Sequence, residues 1–356
     1  MRVAVVGLGW AGRTIWLPRL ARHPAYRVTA VVEPGPVAED AVPEGADLLT
    51  DAGSLRPEAV DLAVVAVPNH LHAPVAEQLL ARGIPVFLEK PVCLDVDEAD
   101  RLAAAERTGG AVLLAGSAAA HRQDVRALAE TAAALGPLRH VGLSWVRAGG
   151  VPDGGGWFTD RRRAGGGALV DLGWHLLDAA TAVIGGDPVF RDVLGTVSAD
   201  FVNDRGRTAG WRGGDRPAGT GDVEDTARGF LVTETGVSVA LRAGWASHEP
   251  VDTTRITVEG AAGTATLTCT FGFSPNRLPV CLTRTRDGVT TEVPLPGEPI
   301  GAEYERQLDL LPAQLADPAA RGVAAARSRR TVSVVERLYA SARVPRPHTA
   351  ETASVA

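Results

Sequence analysis

Lysine is almost absent from this chain. Lysine and arginine together number 36 in 356 residues, and only Lys90 is a lysine. Cysteine occurs three times, at Cys93, Cys269 and Cys281, with no C-x-x-C pair. That excludes a zinc ribbon or a disulfide framework and reads as buried thiols in a reducing compartment. Charge of one sign is also scarce. The net charge is −6, too mild and of the wrong sign for nucleic acid or an anionic membrane as the main partner. The N-terminus offers Arg2 and a short apolar stretch ending at Gly7. That is too short for a leader or a membrane span, so the expectation is a cytoplasmic protein.

What the chain has is ordinary for a globular protein: 45% apolar and 22% charged residues. The length suits about two domains of roughly 150 residues each. Alanine, glycine and arginine abound, as in the products of GC-rich genomes. Such a bias replaces exchangeable surface lysines by arginine, so the remaining lysine marks a place where a wide, permanently charged fork would not serve.

The first half alternates strands and helices. Arg2–Val6 is a buried strand, followed by Gly7-Leu8-Gly9-Trp10-Ala11-Gly12 and a helix to about Arg22. A second apolar run, Val28 to Val32, ends in Glu33, 21 positions after Gly12. This G-x-G-x-x-G lies between strand and helix, where its glycines permit a tight turn, close approach of a pyrophosphate and close helix–strand packing. The helix N-terminus favours the phosphates. Glu33 suits both ribose hydroxyls and repels a 2′-phosphate, and Pro34-Gly35-Pro36 supply no arginine, so NAD is expected over NADP. Further strands are expected at Asp61–Val67, Val86–Leu88 and Ala111–Ala115, with helices at Ala73–Arg82 and Val96–Arg107. The pattern implies a doubly wound parallel sheet whose cofactor crevice receives the loops Pro68–His72 and Glu89–Pro91.

After Gly116 the alternation fades. A helix at Asp124–Leu135 and a strand at His140–Arg147 precede a glycine-rich loop carrying Trp157 and Arg161–Arg163. From Arg228 onward hairpins are expected, at Arg228–Glu234 with Val237–Trp245 and at Thr254–Glu259 with Thr264–Cys269. Strands at Val280–Arg284 and Thr290–Val293 extend an open, mostly antiparallel sheet. Helices return at Glu303–Leu315 and Thr331–Ala342, and the end reads as frayed. The expected division is a Rossmann domain over 1–118, an α+β substrate and oligomerisation domain over 119–344, and a flexible tail over 345–356.

On a helix, Asp171 and His175 share a face and Asp178 follows one turn later. A carboxylate beside an imidazole can set its tautomer and raise its basicity, as a general acid–base requires. Taken alone, the spacing more commonly describes a capping aspartate and a core histidine. A zinc reading lacks a third ligand at a convincing spacing, so no metal is expected. Lys90, at the cofactor end of the sheet, suits a donor to a substrate hydroxyl. Arg205, Arg207, Arg212 and Arg216 could grip a phosphate, but the more ordinary reading is a solvated loop, and the same holds for Arg161–Arg163.

Four motifs now stand in order: Gly7-x-Gly9-x-x-Gly12, Pro68-Asn69-His70-x-His72, Glu89-Lys90-Pro91 and Asp171-x-Gly173-x-His175-x-x-Asp178. Together with Asp222-Val-Glu-Asp225-Thr they resemble the glucose–fructose oxidoreductase / inositol dehydrogenase (Gfo/Idh/MocA) family over nearly the whole chain. The resemblance implies Lys90 at the substrate hydroxyl and nicotinamide, His175 as acid–base, and Asp171 as positioning partner. It also implies a homodimer or homotetramer. The chain departs from the family at Ser117-Ala118-Ala119-Ala120-His121, where Asn-Arg-Arg-like residues are common. His121 is therefore a candidate substrate contact, and Trp157 and Asp178 are further candidates. The expected activity is NAD-dependent hydride transfer at a secondary alcohol or ketone of a sugar, amino sugar, cyclitol or nucleotide sugar. The alternatives are a glycosidase-like enzyme that retains and recycles NAD, and a non-catalytic NAD-binding protein.

Overall fold

The structure, a computed structural model, describes residues 1–38, 41–152, 156–209 and 221–343. Arg212, Arg216 and the tail 345–356 lie outside the described residues. The first half comprises β1 Arg2–Val6, α1 Leu17–Arg22, β2 Arg27–Val32, β3 Asp47–Leu49, β4 Leu62–Val65, α2 Asn69–Ala81, β5 Val86–Leu88, α3 Val96–Gly109 and β6 Leu113–Ala115. Its six parallel strands run β3-β2-β1-β4-β5-β6, the order of a dinucleotide-binding sheet. Val3 and Val5 pack on one face with Trp16, Leu20 and Phe87, while Ala4 and Val6 pack on the other with Leu79 and Leu102. A strand covered on both faces reads as the continuous apolar run seen in the sequence.

The second half comprises α4 Gln123–Ala133, β7 Leu138–Val146, α5 Arg161–Ala164, α6 Trp174–Ile184, β8 Phe190–Ser198, β9 Thr226–Thr233, β10 Ser238–Gly244, β11 Thr253–Gly260, β12 Gly263–Cys269, β13 Cys281–Arg286, β14 Val289–Glu292, α7 Ala302–Ala316 and α8 Val323–Arg343. Its eight strands run β14-β13-β12-β11-β7-β10-β9-β8, antiparallel except where β10 pairs with β7. One sheet face, with Val141, Leu143, Leu241, Ile256 and Leu267, packs on Leu128 of α4, Leu176 of α6 and Leu338 of α8. The run Arg161–Ile184 has the length and apolarity of a membrane span, but it is 83% buried against the rest of the protein. Leu308 and Leu311 of α7, and Ala325 and Val332 of α8, pack back on the two faces of the nucleotide sheet, so the C-terminal helices bind the halves together.

Several elements differ from expectation. Helix α2 begins at Asn69 rather than near Ala73, with Pro68 just before it. Helix α8 begins at Val323 rather than Thr331. Strands β3 and β8 were not foreseen. None of the three residues of β3 is buried, and in β8 only Val193 is. Cys93 and Cys269 are buried, whereas Cys281 is half-exposed.

The glycines of the nucleotide loop are not equivalent. Gly7 sits at φ +95°, and a Cβ there would lie 2.7 Å from the Ala66 carbonyl oxygen. A Cβ on Gly12 would come within 2.0 Å of the Gly7 carbonyl oxygen, whereas one on Gly9 would meet nothing nearer than 3.9 Å. Gly12→Ala should therefore lower cofactor-free stability by about 1–3 kcal/mol through overpacking, while Gly9→Ala stays within about 0.5 kcal/mol. Urea unfolding of the two variants checks this. Equal losses would show that the loop itself requires all of its glycines.

Candidate active site

A cleft of about 300 Å³ opens where the C-terminal ends of β1, β4 and β5 face the second sheet. The glycine loop forms one wall. After β1 the chain turns at Gly7, whose N–H donates to the Val32 carbonyl oxygen at 2.9 Å. Gly9, Trp10 and Ala11 then face the cleft, and Gly12 lets α1 and the turn before it sit close to the strand. Glu33, at the end of β2, is drawn to this loop. Its Oε2 accepts from the Leu8 N–H at 2.8 Å and its Oε1 from the Gly35 N–H at 3.1 Å. Space over Gly9, a helix N-terminus and a carboxylate on the neighbouring strand fit an adenosine diphosphate.

The loops after β4 and β5 form the floor. Asn69 is buried and donates from Nδ2 to the Ala164 carbonyl oxygen at 2.9 Å. The His72 ring lies between two carbonyl oxygens, with Nδ1 2.6 Å from that of Pro91 and Nε2 2.8 Å from that of Val67. Burial pushes its pKa down to about 4, and the two carbonyls only partly oppose that. A neutral imidazole has one N–H, so it donates to one of these carbonyl oxygens and only packs against the other. Glu89 is buried and accepts from the Trp16 indole N–H and the Lys90 N–H, both at 2.8 Å. Burial raises its pKa despite nearby Lys90.

Lys90 reaches across to the second half. Its Nζ lies 2.6 Å from Asp171 Oδ1 and 3.3 Å from the Asp171 carbonyl oxygen. The side chains are 17% and 5% exposed, so the ion pair is largely withdrawn from water. Asp171 Oδ2 accepts from the Trp245 indole N–H at 2.9 Å. His175, one turn on, lines the same cleft with its ring centroid 5.6 Å from that of Trp145. A cation donor, a carboxylate and an imidazole therefore converge on one space beside Gly9. Proton transfer to and from a hydroxyl is within their chemistry.

The helix bearing these groups is held from behind. Glu224 Oε1 accepts from the N–H groups of Gly167 and Leu169, each at 3.0 Å, and from the Tyr339 hydroxyl at 2.7 Å. A Cβ on Gly166 would sit 2.0 Å from the Tyr339 oxygen, and one on Gly167 1.8 Å from the Glu224 carbonyl oxygen. These glycines are present because α8 and the segment before β9 press directly on the turn.

Trp157 lines the cleft, with its ring centroid 4.7 Å from that of Phe158. His121 and Asp178 do not line it. They face a separate cavity bounded by β6, α7 and α8, because Asp178 lies on a different side of α6 from His175. Among the described residues no group of three His, Cys, Asp or Glu side chains could hold a metal. The sequence reading missed Trp145, Arg147 and Trp245. Arg147 is buried in the cleft wall, its guanidinium 5.5 Å from the Trp145 ring centroid. Glu224 lay inside a motif already noted, but its partners are remote in sequence.

Residues 1–117 match the model of an oxidoreductase family with an NAD-binding Rossmann fold, and residues 123–266 match the GFO/IDH/MocA C-terminal domain. The chain is 56% identical over 345 residues to a putative UDP-kanosamine synthase oxidoreductase subunit of Amycolatopsis mediterranei, covering 96% of each. It is similar in structure to GenD2 from gentamicin A biosynthesis in complex with NAD, with a TM-score of 0.75 at 25% identity over 97% of this chain and 95% of that one. A 3-ketoreductase from Actinomadura kijaniata in complex with NADP and TDP-benzene shares the fold, with a TM-score of 0.74 at 21% identity over 96% and 97% of the two chains. The chain belongs to the Gfo/Idh/MocA family of oxidoreductases, with an NAD(P)-binding Rossmann fold.

Proposed function

We propose that this protein is an NAD-dependent oxidoreductase acting at a secondary hydroxyl or ketone of a nucleoside-diphosphate sugar. The observation that carries the reading is the convergence of Lys90, Asp171 and His175 beside the open glycine loop. Identity of 56% to the Amycolatopsis subunit, named for a UDP-sugar product, supports the substrate class. NAD, which Gly9, Trp10, Ala11 and Glu33 would hold, would supply the hydride acceptor for the carbinol carbon. The hydroxyl proton passes to the His175 imidazole as the carbonyl forms. Lys90 donates a hydrogen bond to that oxygen and stabilises the charge it gains. Asp171, anchored by Trp245, holds the ammonium in place. The same groups serve reduction in the reverse direction, with His175 returning the proton.

NAD over NADP rests on Glu33. Its carboxylate is fixed beside the loop by two backbone N–H groups and would stand against a 2′-phosphate. Like charges placed together cost several kcal/mol, and each 1.4 kcal/mol is tenfold in affinity. Discrimination of about 100-fold or more is expected, and Glu33→Gln should narrow it at least tenfold. Fluorescence titration with NADH and NADPH checks this, and an unchanged ratio would remove Glu33 from the assignment.

Turnover is tested at 340 nm with NAD and a panel of UDP- and dTDP-hexoses, free sugars and cyclitols. His175→Ala should lower kcat by at least about 100-fold, the scale of general acid–base catalysis, with NADH affinity unchanged. Lys90→Arg should not restore what Lys90→Ala loses, since a planar fork cannot replace a compact ammonium at this distance from Asp171. NADH formation from free sugars or cyclitols in preference to nucleotide sugars would overturn the substrate class. Tightly held NAD with bond cleavage and no net NADH would favour internal redox cycling instead.

A further inference from the structure

The cavity that receives His121 and Asp178 has a volume of about 390 Å³, within the range of small-molecule sites, about 300–1,000 Å³. It lies between the end of β6, α6, α7 and α8. Its deep groups are polar and incompletely used. Gln307 is 3% exposed. Its Nε2 donates to the Ala115 carbonyl oxygen at 3.1 Å, while its Oε1 has no hydrogen-bond partner among the described residues. His121 Nδ1 likewise has none. Asp178 is 6% exposed and accepts from the Ser117 hydroxyl at 3.0 Å. A buried acceptor without a donor costs about 1–3 kcal/mol, so these atoms call for something that hydrogen-bonds.

The charges around them restrict what that is. Burial pushes the Asp178 carboxyl up to about 7 and the His121 imidazole down to about 4, so the imidazole is neutral and the carboxyl is half-protonated near pH 7. Arg126, Arg306 and Arg327 add to the depression at His121, a field that opposes a cation. An anion would face Asp178. Arg327 and Asp317 both line the cavity and are exposed, and Arg327 is paired with Asp187 at 3.5 Å. Amide, hydroxyl, imidazole and protonated carboxyl groups both give and receive hydrogen bonds, as ligand hydroxyls do.

We propose that this cavity binds a small, uncharged, polyhydroxylated molecule of about the size of one sugar ring, at a site separate from the cofactor cleft. The site does not depend on which cofactor or substrate the cleft takes. It shares α6 with the cleft, since Trp174 and Asp178 line the cavity and His175 lines the cleft.

The test uses the whole protein and three neutral probes, myo-inositol, D-glucose and glycerol, beside the charged D-glucosamine and D-glucuronate. Calorimetry gives affinities, and soaked crystals give positions. At least one neutral probe should appear hydrogen-bonded to Gln307 Oε1, bound more tightly than either charged one. Gln307→Leu, which removes the acceptor, and Ala120→Trp, which fills the mouth, should each weaken it about tenfold or more. Unchanged NADH affinity shows that both variants are folded. A cavity holding only water, binding at crystal concentration only, binding untouched by both variants, or preference for a charged probe would each overturn the proposal.

Discussion

The ion pair between Lys90 and Asp171 is the contact on which the arrangement of the site depends. Lys90 follows the fifth strand of the nucleotide sheet, and Asp171 sits on the helix that packs beneath the second sheet. Both charges are largely withdrawn from water, the lysine side chain 17% and the aspartate 5% exposed. A buried pair adds little net stability, but loss of one partner costs about 3–5 kcal/mol because the other is left uncompensated. The pair therefore works as a register device. It is satisfied only when the two halves meet so that the cleft is closed on the correct side. Trp245, donating to the second carboxylate oxygen, removes the remaining rotational freedom of Asp171.

Behind that pair is a chain of supports. Glu224 takes three hydrogen bonds on one oxygen, two from the turn that starts the Asp171 helix and one from Tyr339 of the last helix. The C-terminal helix thus bears on the site without entering it. Glycines at 166 and 167 permit this contact because any Cβ would meet the tyrosine oxygen or the Glu224 backbone. On the other side the His72 ring sits between the loop after β4 and the Lys90-Pro91 loop, with a ring nitrogen close to a carbonyl oxygen of each. Asn69 then ties α2 to the Ala164 carbonyl, across the two halves.

Much of this was legible in the sequence, for physical reasons. Strands such as Val3–Val6 are buried on both faces, so their hydrophobicity is unbroken, and the glycine loop announces itself by steric need. Lys90 stood out because arginine had taken every other cationic position. Strands β3 and β8 were hidden because they bury almost nothing, and pairing at an edge leaves no apolar signature. The early turns of α8 were hidden by an arginine-rich stretch that is helical yet mostly solvated. Trp245 and Glu224 could not be assigned because their partners lie 74 residues away at Asp171 and 115 at Tyr339. Asp178 was misplaced because helical spacing gives a residue's face but not which of two cavities that face meets.

The electrostatics of the cleft floor follow from what burial does to each neighbour of Lys90. His72 is held neutral by desolvation, with a pKa of about 4. A second cation beside the ammonium would compete with it for Asp171 and for any oxygen bound in the cleft. Burial raises Glu89 too, and hydrogen bonds from Trp16 and the Lys90 backbone resist that rise. Its carboxylate lines the cleft with one oxygen engaged by the indole and the other by the Lys90 N–H. The ammonium and the Asp171 carboxylate are paired with each other, while the Arg147 guanidinium and Glu89 also line the cleft. In a medium of low effective dielectric, a single well-placed ammonium acts on a developing alkoxide more strongly than it would in water. The lone lysine of the chain stands where its compact charge meets Asp171 at the cleft.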